Sequence, residues 1–300
     1  MGFRNTGTRW IVVATLMGSL LAAGSFRLFA ANASPAFVAD PTTSWAVLVG
    51  VSTYDSPTHP TYGGDGDVAA FHTLLNQAGW PDSHIMMLTD QTATASNIRG
   101  AMRWLVSHSG PGTFSVFHYS GHVYQASGHE FMWGVDNNFI RDDEFGSDLA
   151  PLAGRAWIDV SGCESQGFDR GLSSNSRFFT ASSATSEKSY EEPAWHESVW
   201  TGLTVDKGLL QHQAGSGPLS VQAAVRWSQQ QAPAMTSSQQ PHGPQHPYAV
   251  GGDGEWYLGP PLAPPPPAKS QPSPTSPTTA PSPDLCTSVS LGLVRCNGHS

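Results

Sequence analysis

The chain has 300 residues, room for one large domain or two small ones, and only 12% of them are charged. With 23 acidic against 14 basic residues its net charge is −9, the wrong sign for a nucleic-acid binder, and three cysteines are too few for a disulfide scaffold. One apolar run, at the extreme N-terminus, excludes a multi-span membrane protein.

That run comes first in the chain. Arg4 and Arg9 precede an uncharged stretch over 10–26, and Ala31-Asn32-Ala33 then offers a small-residue cleavage site. A positive end, an apolar core and an A-x-A site make a secretory signal peptide over 1–33. The alternative is an uncleaved N-terminal anchor, because the run is near the lower limit for a spanning helix. Both readings export the rest of the chain to a secreted or extracytoplasmic place, with membrane contact only where the segment stays uncleaved. A short linker (34–43) leads to a body expected to cover 44–259.

In the body, WAVLVGV (45–51) reads as a strand buried on both faces. Val68, Phe71, Leu74 and Leu75 have the three-and-four spacing of an amphipathic helix over 67–78, which Gly79 stops. HIMMLTD (84–90) is a second strand. Thr94 caps a helix through Ile98, Met102, Leu105 and Val106, closed by Gly110-Pro111. TFSVFHYS (113–120), RAWIDVS (155–161) and RFFTASS (177–183) are the third to fifth strands, and 199–210 is another helix. Strands separated by helices of this length predict an α/β fold around a mostly parallel sheet. The pattern fades beyond Val225. Residues 228–246 hold six Gln and three Pro, EWYL (255–258) offers a last strand, and 260–283 hold eleven Pro, the mark of an extended low-complexity tail over 260–300.

Chemistry belongs at the carboxyl ends of parallel strands. The third strand runs into Tyr119-Ser120-Gly121-His122 and the fourth into Ser161-Gly162-Cys163-Glu164-Ser165. A thiolate is a nucleophile, and a nearby imidazole lowers the thiol pKa and later protonates a leaving group. His122 and Cys163 are therefore the candidate dyad. The other reading of each is an inert buried thiol and a structural imidazole. His118, His122 and His129 do not suggest zinc, since the four-residue spacing of the first two converges on a helix and not on a strand. Cys286 and Cys296 could pair in an oxidising compartment. No G-x-S-x-G elbow follows a strand, which disfavours a serine hydrolase.

The segments Phe117-His118-Tyr119-Ser120-Gly121-His122 and Cys163-Glu164-Ser165-Gln166-Gly167-Phe168-Asp169 resemble the His and Cys signatures of the caspase/metacaspase superfamily of cysteine peptidases. WAVLVGVSTY, GGDGDVAAF, Gly134-Val135-Asp136 and Ile140-Arg141-Asp142-Asp143-Glu144-Phe145 follow the family's order, so the likeness covers about 44–210. The resemblance implies a caspase-like three-layer sandwich with a mostly parallel central sheet flanked by helices. It also implies His122 as general base and acid, Cys163 as nucleophile, and the backbone N–H groups of Gly121 and Cys163 as oxyanion donors. Two positions depart from the pattern. Val123 stands where the family usually has Gly, and the Asp usual two residues before the Cys is here Asp159, four before it. Either the loop is longer or Ser161 has replaced that Asp.

Metacaspase-type members generally cut polypeptides after Arg or Lys through an acidic pocket. The matching positions here are Asp67, Ser120 and either Asp159 or Ser161. An ordinary helix-start role is the other reading of Asp67. The chemistry needs no cofactor, but some metacaspases are activated by Ca²⁺. The matching oxygen ligands would be Asp136, Asp142, Asp143 and Asp169, whose other reading is a solvated acidic loop. The expected function is an exported cysteine endopeptidase, set against a catalytically weak caspase-fold binding or regulatory module on a Pro-rich stalk.

Overall fold

The computed structural model describes residues 36–218, 220–239 and 241–260, together with a two-residue strand at Val294–Arg295. The expected leader, the Pro-rich segment beyond residue 260, Cys286 and Cys296 lie outside the described residues. Among the described residues no helix is long and apolar enough to cross a membrane.

The apolar runs form a six-stranded sheet. Its members are β1 (Trp45–Gly50), β2 (Ile85–Thr89), β3 (Phe114–Ser120), β7 (Arg155–Ser161), β8 (Arg177–Ala181) and β11 (Tyr248–Gly251), in the order β11-β8-β7-β3-β1-β2. All neighbours are parallel except β11, which runs antiparallel to β8 at one edge. Between β3 and β7 come β4 (Val123–Ala126), β5 (His129–Trp133) and β6 (Phe139–Arg141), a small antiparallel sheet of their own. The pair β9 (Tyr190–Glu192) and β10 (Glu197–Ser198) follows β8.

Because side chains alternate across a strand, the continuous apolar runs feed two cores. Val47, Val49, Phe117, Tyr119, Ile158 and Val160 pack on one face with α2 (Ala95–His108) and α3 (Asp142–Leu149). Ala46, Leu48, Val116, Trp157 and Phe178 pack on the other with α1 (Gly64–Gln77), α4 (199–210) and α5 (Val221–Met235). Helix–sheet–helix layering of this kind is the three-layer α/β sandwich expected. Helix α4 starts with one α turn, Val199–Thr201, and continues with the wider π spacing over Gly202–Leu210. The Thr94 cap is in place, accepting from the Asn97 N–H at 3.2 Å.

Three expectations need correction. The acidic segment after β6 is the helix α3, whose Phe145 and Leu149 are buried against α2 and the sheet. The Gln-rich stretch is helical as far as Met235, because Val221, Ala224, Val225, Ser228 and Ala232 give α5 a narrow buried stripe. EWYL contributes only Trp256–Tyr257, paired in parallel with Phe37–Val38.

Candidate active site

Strands β3 and β7 run in register to their carboxyl ends, where Ser120 lies opposite Ser161. The ladder is carried one step further by the Gly121 N–H, which donates to the Ser161 carbonyl at 3.1 Å. The residues that follow, His122 and Cys163, therefore leave the sheet from adjoining strand tips. The register is unbroken through Ser161, the residue two before the cysteine.

His122 is held on every side. Its N–H donates to the Tyr54 hydroxyl at 2.7 Å, and its carbonyl accepts from the Tyr119 hydroxyl at 2.8 Å. The ring packs between Tyr54 and Trp133, with centroids at 4.8 and 5.8 Å. Nε2 lies 2.8 Å from the His59 carbonyl oxygen. A carbonyl can only accept, so Nε2 carries the hydrogen and Nδ1 is the basic nitrogen. Nδ1 is buried without a hydrogen-bond partner. Burial lowers the imidazole pKa, although the His59 carbonyl opposes this. His122 is thus a neutral base of defined tautomer.

Gly121 has a different job from the one expected. Its N–H is occupied by Ser161, so it does not point at a developing oxyanion. A Cβ there would come within 2.5 Å of the Tyr54 hydroxyl and 2.8 Å of the Tyr119 hydroxyl, so only glycine lets both tyrosines reach the histidine backbone.

The cysteine loop is anchored from β8. Gly162 donates to Ser182 Oγ at 2.9 Å, and its carbonyl accepts from the Ser182 and Ser183 hydroxyls at 3.0 and 2.9 Å. A Cβ at Gly162 would lie 2.7 Å from Val123 Cγ2, so the small residue before the cysteine makes room for the Val123 side chain. Glu164, next to the thiol, is left-handed at φ 52°, a conformation costing roughly 1–2 kcal/mol for a residue with a side chain. Its N–H donates to the Glu187 carbonyl at 2.8 Å, and its carboxylate meets Lys188 Nζ at 2.6 Å. Segment 183–189 is thereby pinned beside Cys163, which is fully buried, as is His122 at 3% exposure.

The expected pocket residues divide. The β3–β7 register places His118 beside Asp159 and Ser120 beside Ser161, all on the α1 face of the sheet. Asp159 is not a pocket residue. It accepts from His118 Nδ1 and Trp200 Nε1, both at 2.8 Å, and from the Thr180 hydroxyl, so its lone pairs serve a buried core network. Asp67 comes to the same face from α1. Its Oδ1 accepts from the Ser198 N–H at 2.8 Å, while Oδ2 is buried with no hydrogen-bond partner. Burial pushes its carboxyl up despite the lowering influence of His118, Ser120 and Ser198.

Sequence reasoning missed the acids beside Asp67. Glu191, opposite Ser198 in the β9–β10 pair, accepts from the Tyr62 N–H at 2.9 Å and the Gly63 N–H at 2.7 Å. Burial and the nearby Asp67 raise it to about 7, against the two backbone donors. Glu197, one residue before Ser198, is raised to about 8 by burial and by the charges of Asp67 and Asp206. Their only sequence signal is acid in a segment of small and aromatic residues. His59 and Tyr54 were equally illegible, since one acts through a carbonyl and the other through a hydroxyl in a turn-rich loop.

The four aspartates matched to calcium do not converge. Asp136 accepts from the Ala95 N–H at 3.0 Å, at the start of α2, and from Asn138 at 2.7 Å. Asp169 accepts from the Ser173 N–H at 3.0 Å and the Tyr248 hydroxyl at 3.3 Å. Only Asp142 and Asp143 come together, with His129 as the third group within 4.8 Å. Asp142 is already bound by His129 Nδ1 at 2.7 Å and Arg170 Nε at 2.6 Å, and Asp143 by Arg141 Nε at 2.6 Å. A hard cation wanting six to eight oxygens does not fit this set.

A profile of caspase domains matches residues 43–240. Metacaspase-3 of Arabidopsis thaliana is 38% identical over 116 residues, 36% of this chain and 29% of that protein. Metacaspase-2 of the same plant is 36% identical over 115 residues, again 36% of this chain, and 25% of the relative. Metacaspase-1 of Mycosarcoma maydis is 36% identical over 87 residues, 27% of this chain and 21% of the relative. The chain thus matches less than a third of the length of these relatives. Among solved structures, the crystal structure of a Geobacter sulfurreducens protein shares the fold with TM-score 0.52 at 13% identity, over 70% of this chain and 93% of that one.

Proposed function

This chain belongs to the caspase-domain family of cysteine peptidases, and from that premise we propose that it is an exported endopeptidase cutting polypeptides after Arg or Lys through His122 and Cys163. The observation that carries the reading is the tautomer of His122: with Nε2–H held on the His59 carbonyl, Nδ1 is left as a buried acceptor at the strand tip adjoining that of Cys163. In this reading Nδ1 takes the thiol proton and the thiolate attacks the scissile carbonyl. The imidazolium then gives its proton to the leaving amine as the C–N bond breaks, and water, deprotonated by Nδ1, hydrolyses the thioester. The Cys163 N–H is the proposed oxyanion donor. Asp67, with Ser120 and Ser161 near it, receives the basic side chain before the cut, a role its unpartnered Oδ2 supports. Since Cys163 is covered, substrate entry requires segment 183–189 to move off Glu164. Residues 1–33 would direct export, which sequencing of the mature N-terminus checks.

The covered thiol favours the rival reading, a caspase-fold binding module without turnover. An electrophilic peptide probe carrying Arg before the warhead separates the two. Parent protein labelled at Cys163, with labelling lost in Cys163→Ala and in His122→Ala, supports the peptidase. Equal labelling of parent and Cys163→Ala removes the thiol from the chemistry, and no labelling of either favours the binding module.

A further inference from the structure

The loop that follows Cys163 is tied to α3 by one guanidinium. Arg170 closes that loop after the 3-10 turn Ser165–Phe168. Its Nε donates to Asp142 Oδ2 at 2.6 Å, its Nη2 reaches the same carboxylate and the Gly128 carbonyl, and Nη2 is 3.7 Å from Glu130 Oε2. Asp142 is fully buried and also accepts from His129 Nδ1 at 2.7 Å, from its neighbour's N–H at 2.7 Å and from the Glu130 N–H at 3.3 Å. Glu130 is buried against Gly167, where any Cβ would run into its carboxylate. One positive group thus links the β4–β5 hairpin, the first turn of α3 and the turn four residues after the nucleophile.

A buried carboxylate must be paired or protonated. In this chain the partner is covalently supplied. The geometry points to Arg170 as an internal counter-cation that positions the nucleophile loop in place of a bound divalent ion, so the protein works without calcium. A guanidinium suits the place because its planar fork holds two oxygens in fixed directions, which sets the loop's orientation as well as neutralising the charge. With Asp142 saturated and Asp136 and Asp169 engaged elsewhere, the oxygens for a hard cation are not at hand.

The inference on structure stands alone, and its consequence for rate rests on the peptidase reading. The test follows thermal unfolding of the full chain, and hydrolysis of an Arg-containing fluorogenic peptide, in excess Ca²⁺ and in excess EGTA. The parent is expected to unfold within about 1 °C and to hydrolyse at the same rate in both. Arg170→Gln is expected to unfold several degrees lower and to lose about tenfold or more in kcat with a smaller change in KM. Added guanidinium ion should restore part of the rate to Arg170→Ala and none to Asp142→Asn, which a merely structural role of residue 170 would not produce. A calcium-dependent rise of several degrees in the parent overturns the inference, as does an Arg170→Gln variant that unfolds and turns over like the parent. Absence of any hydrolysis by the parent would sink the peptidase reading, while the unfolding measurements would still decide the role of Arg170.

Discussion

Acid is handled in opposite ways at the starts of α1 and α3. Around α1, Asp67 and Glu191 are held by backbone N–H groups, with no arginine ion pair to either among the described residues, and Glu197 Oε2 is buried without a hydrogen-bond partner there. All three carboxyls are pushed up by burial. In the first turn of α3 each acid meets an arginine: Asp142 meets Arg170, Asp143 meets Arg141 and Glu144 meets Arg99. There burial of Asp142 is overcome by hydrogen bonds from His129, Glu130 and Arg170, while Arg141 and Arg99 hold Asp143 and Glu144 low. Both regions open a helix, where the macrodipole favours anions, so the helix does not explain the difference. What differs is whether the counter-charge is built in. The three acids that open α3 have their counter-charges in place, and the α1 acids are short of positive charge among the described residues, as a receptor for a basic side chain would be.

The contrast can be broken most sharply at Asp67. Asp67→Asn should lower kcat/KM for peptides with Arg before the cut by about 10²-fold or more, because a buried cation would then face no fixed anion. A variant that still prefers Arg as strongly as the parent would remove the α1 cluster from recognition.

Glu197 tests the same cluster through stability. Its folded pKa of about 8 lies above the ordinary 4.5, so the folded state binds more protons than the unfolded between those values. The resulting stability is full below about pH 4.5 and is lost as pH rises through about 8. Glu197→Gln should therefore unfold a few degrees above the parent at pH 9 and show a flatter dependence between pH 5 and 9. Parallel melting curves for the two proteins across that range would contradict an uncompensated acid there.

At the satisfied cluster the expected effect is smallest. Arg99 and Glu144 are both partly exposed, so Arg99→Gln should cost about 1 kcal/mol or less by denaturant unfolding and leave peptide turnover unchanged. A loss of several kcal/mol would mean that the α3 side is as finely balanced as the α1 side.

The adjoining positions of the His122 and Cys163 motifs were legible because each closes a strand whose apolar run is unmistakable, and parallel strands deliver their carboxyl ends to one edge. Asp159 misled because, seen in sequence, an Asp near the cysteine has no partner, whereas in the sheet His118, Thr180 and Trp200 converge on it. The calcium set misled for the same reason in reverse. Four acids in family order suggest a common ligand, yet Arg170 reaches Asp142 from 28 positions away. The start of α3 was hidden by its run of acids, and α5 by Gln229, Gln230 and Gln231, which follow one another outside its buried stripe.

Chain order and apolar periodicity pointed to the mostly parallel sheet, the strand tips and the two residues proposed for chemistry, because these depend on local pattern and on the rule that parallel strands end together. Tertiary structure alone decided the tautomer of His122, the covering of Cys163, the reassignment of Gly121 and Asp159, and which acids carry a counter-charge. Each of those depends on groups brought from elsewhere in the chain, such as a carbonyl from His59 or a guanidinium from Arg170, and hydrogen bonds at 3 Å leave no periodicity in a sequence.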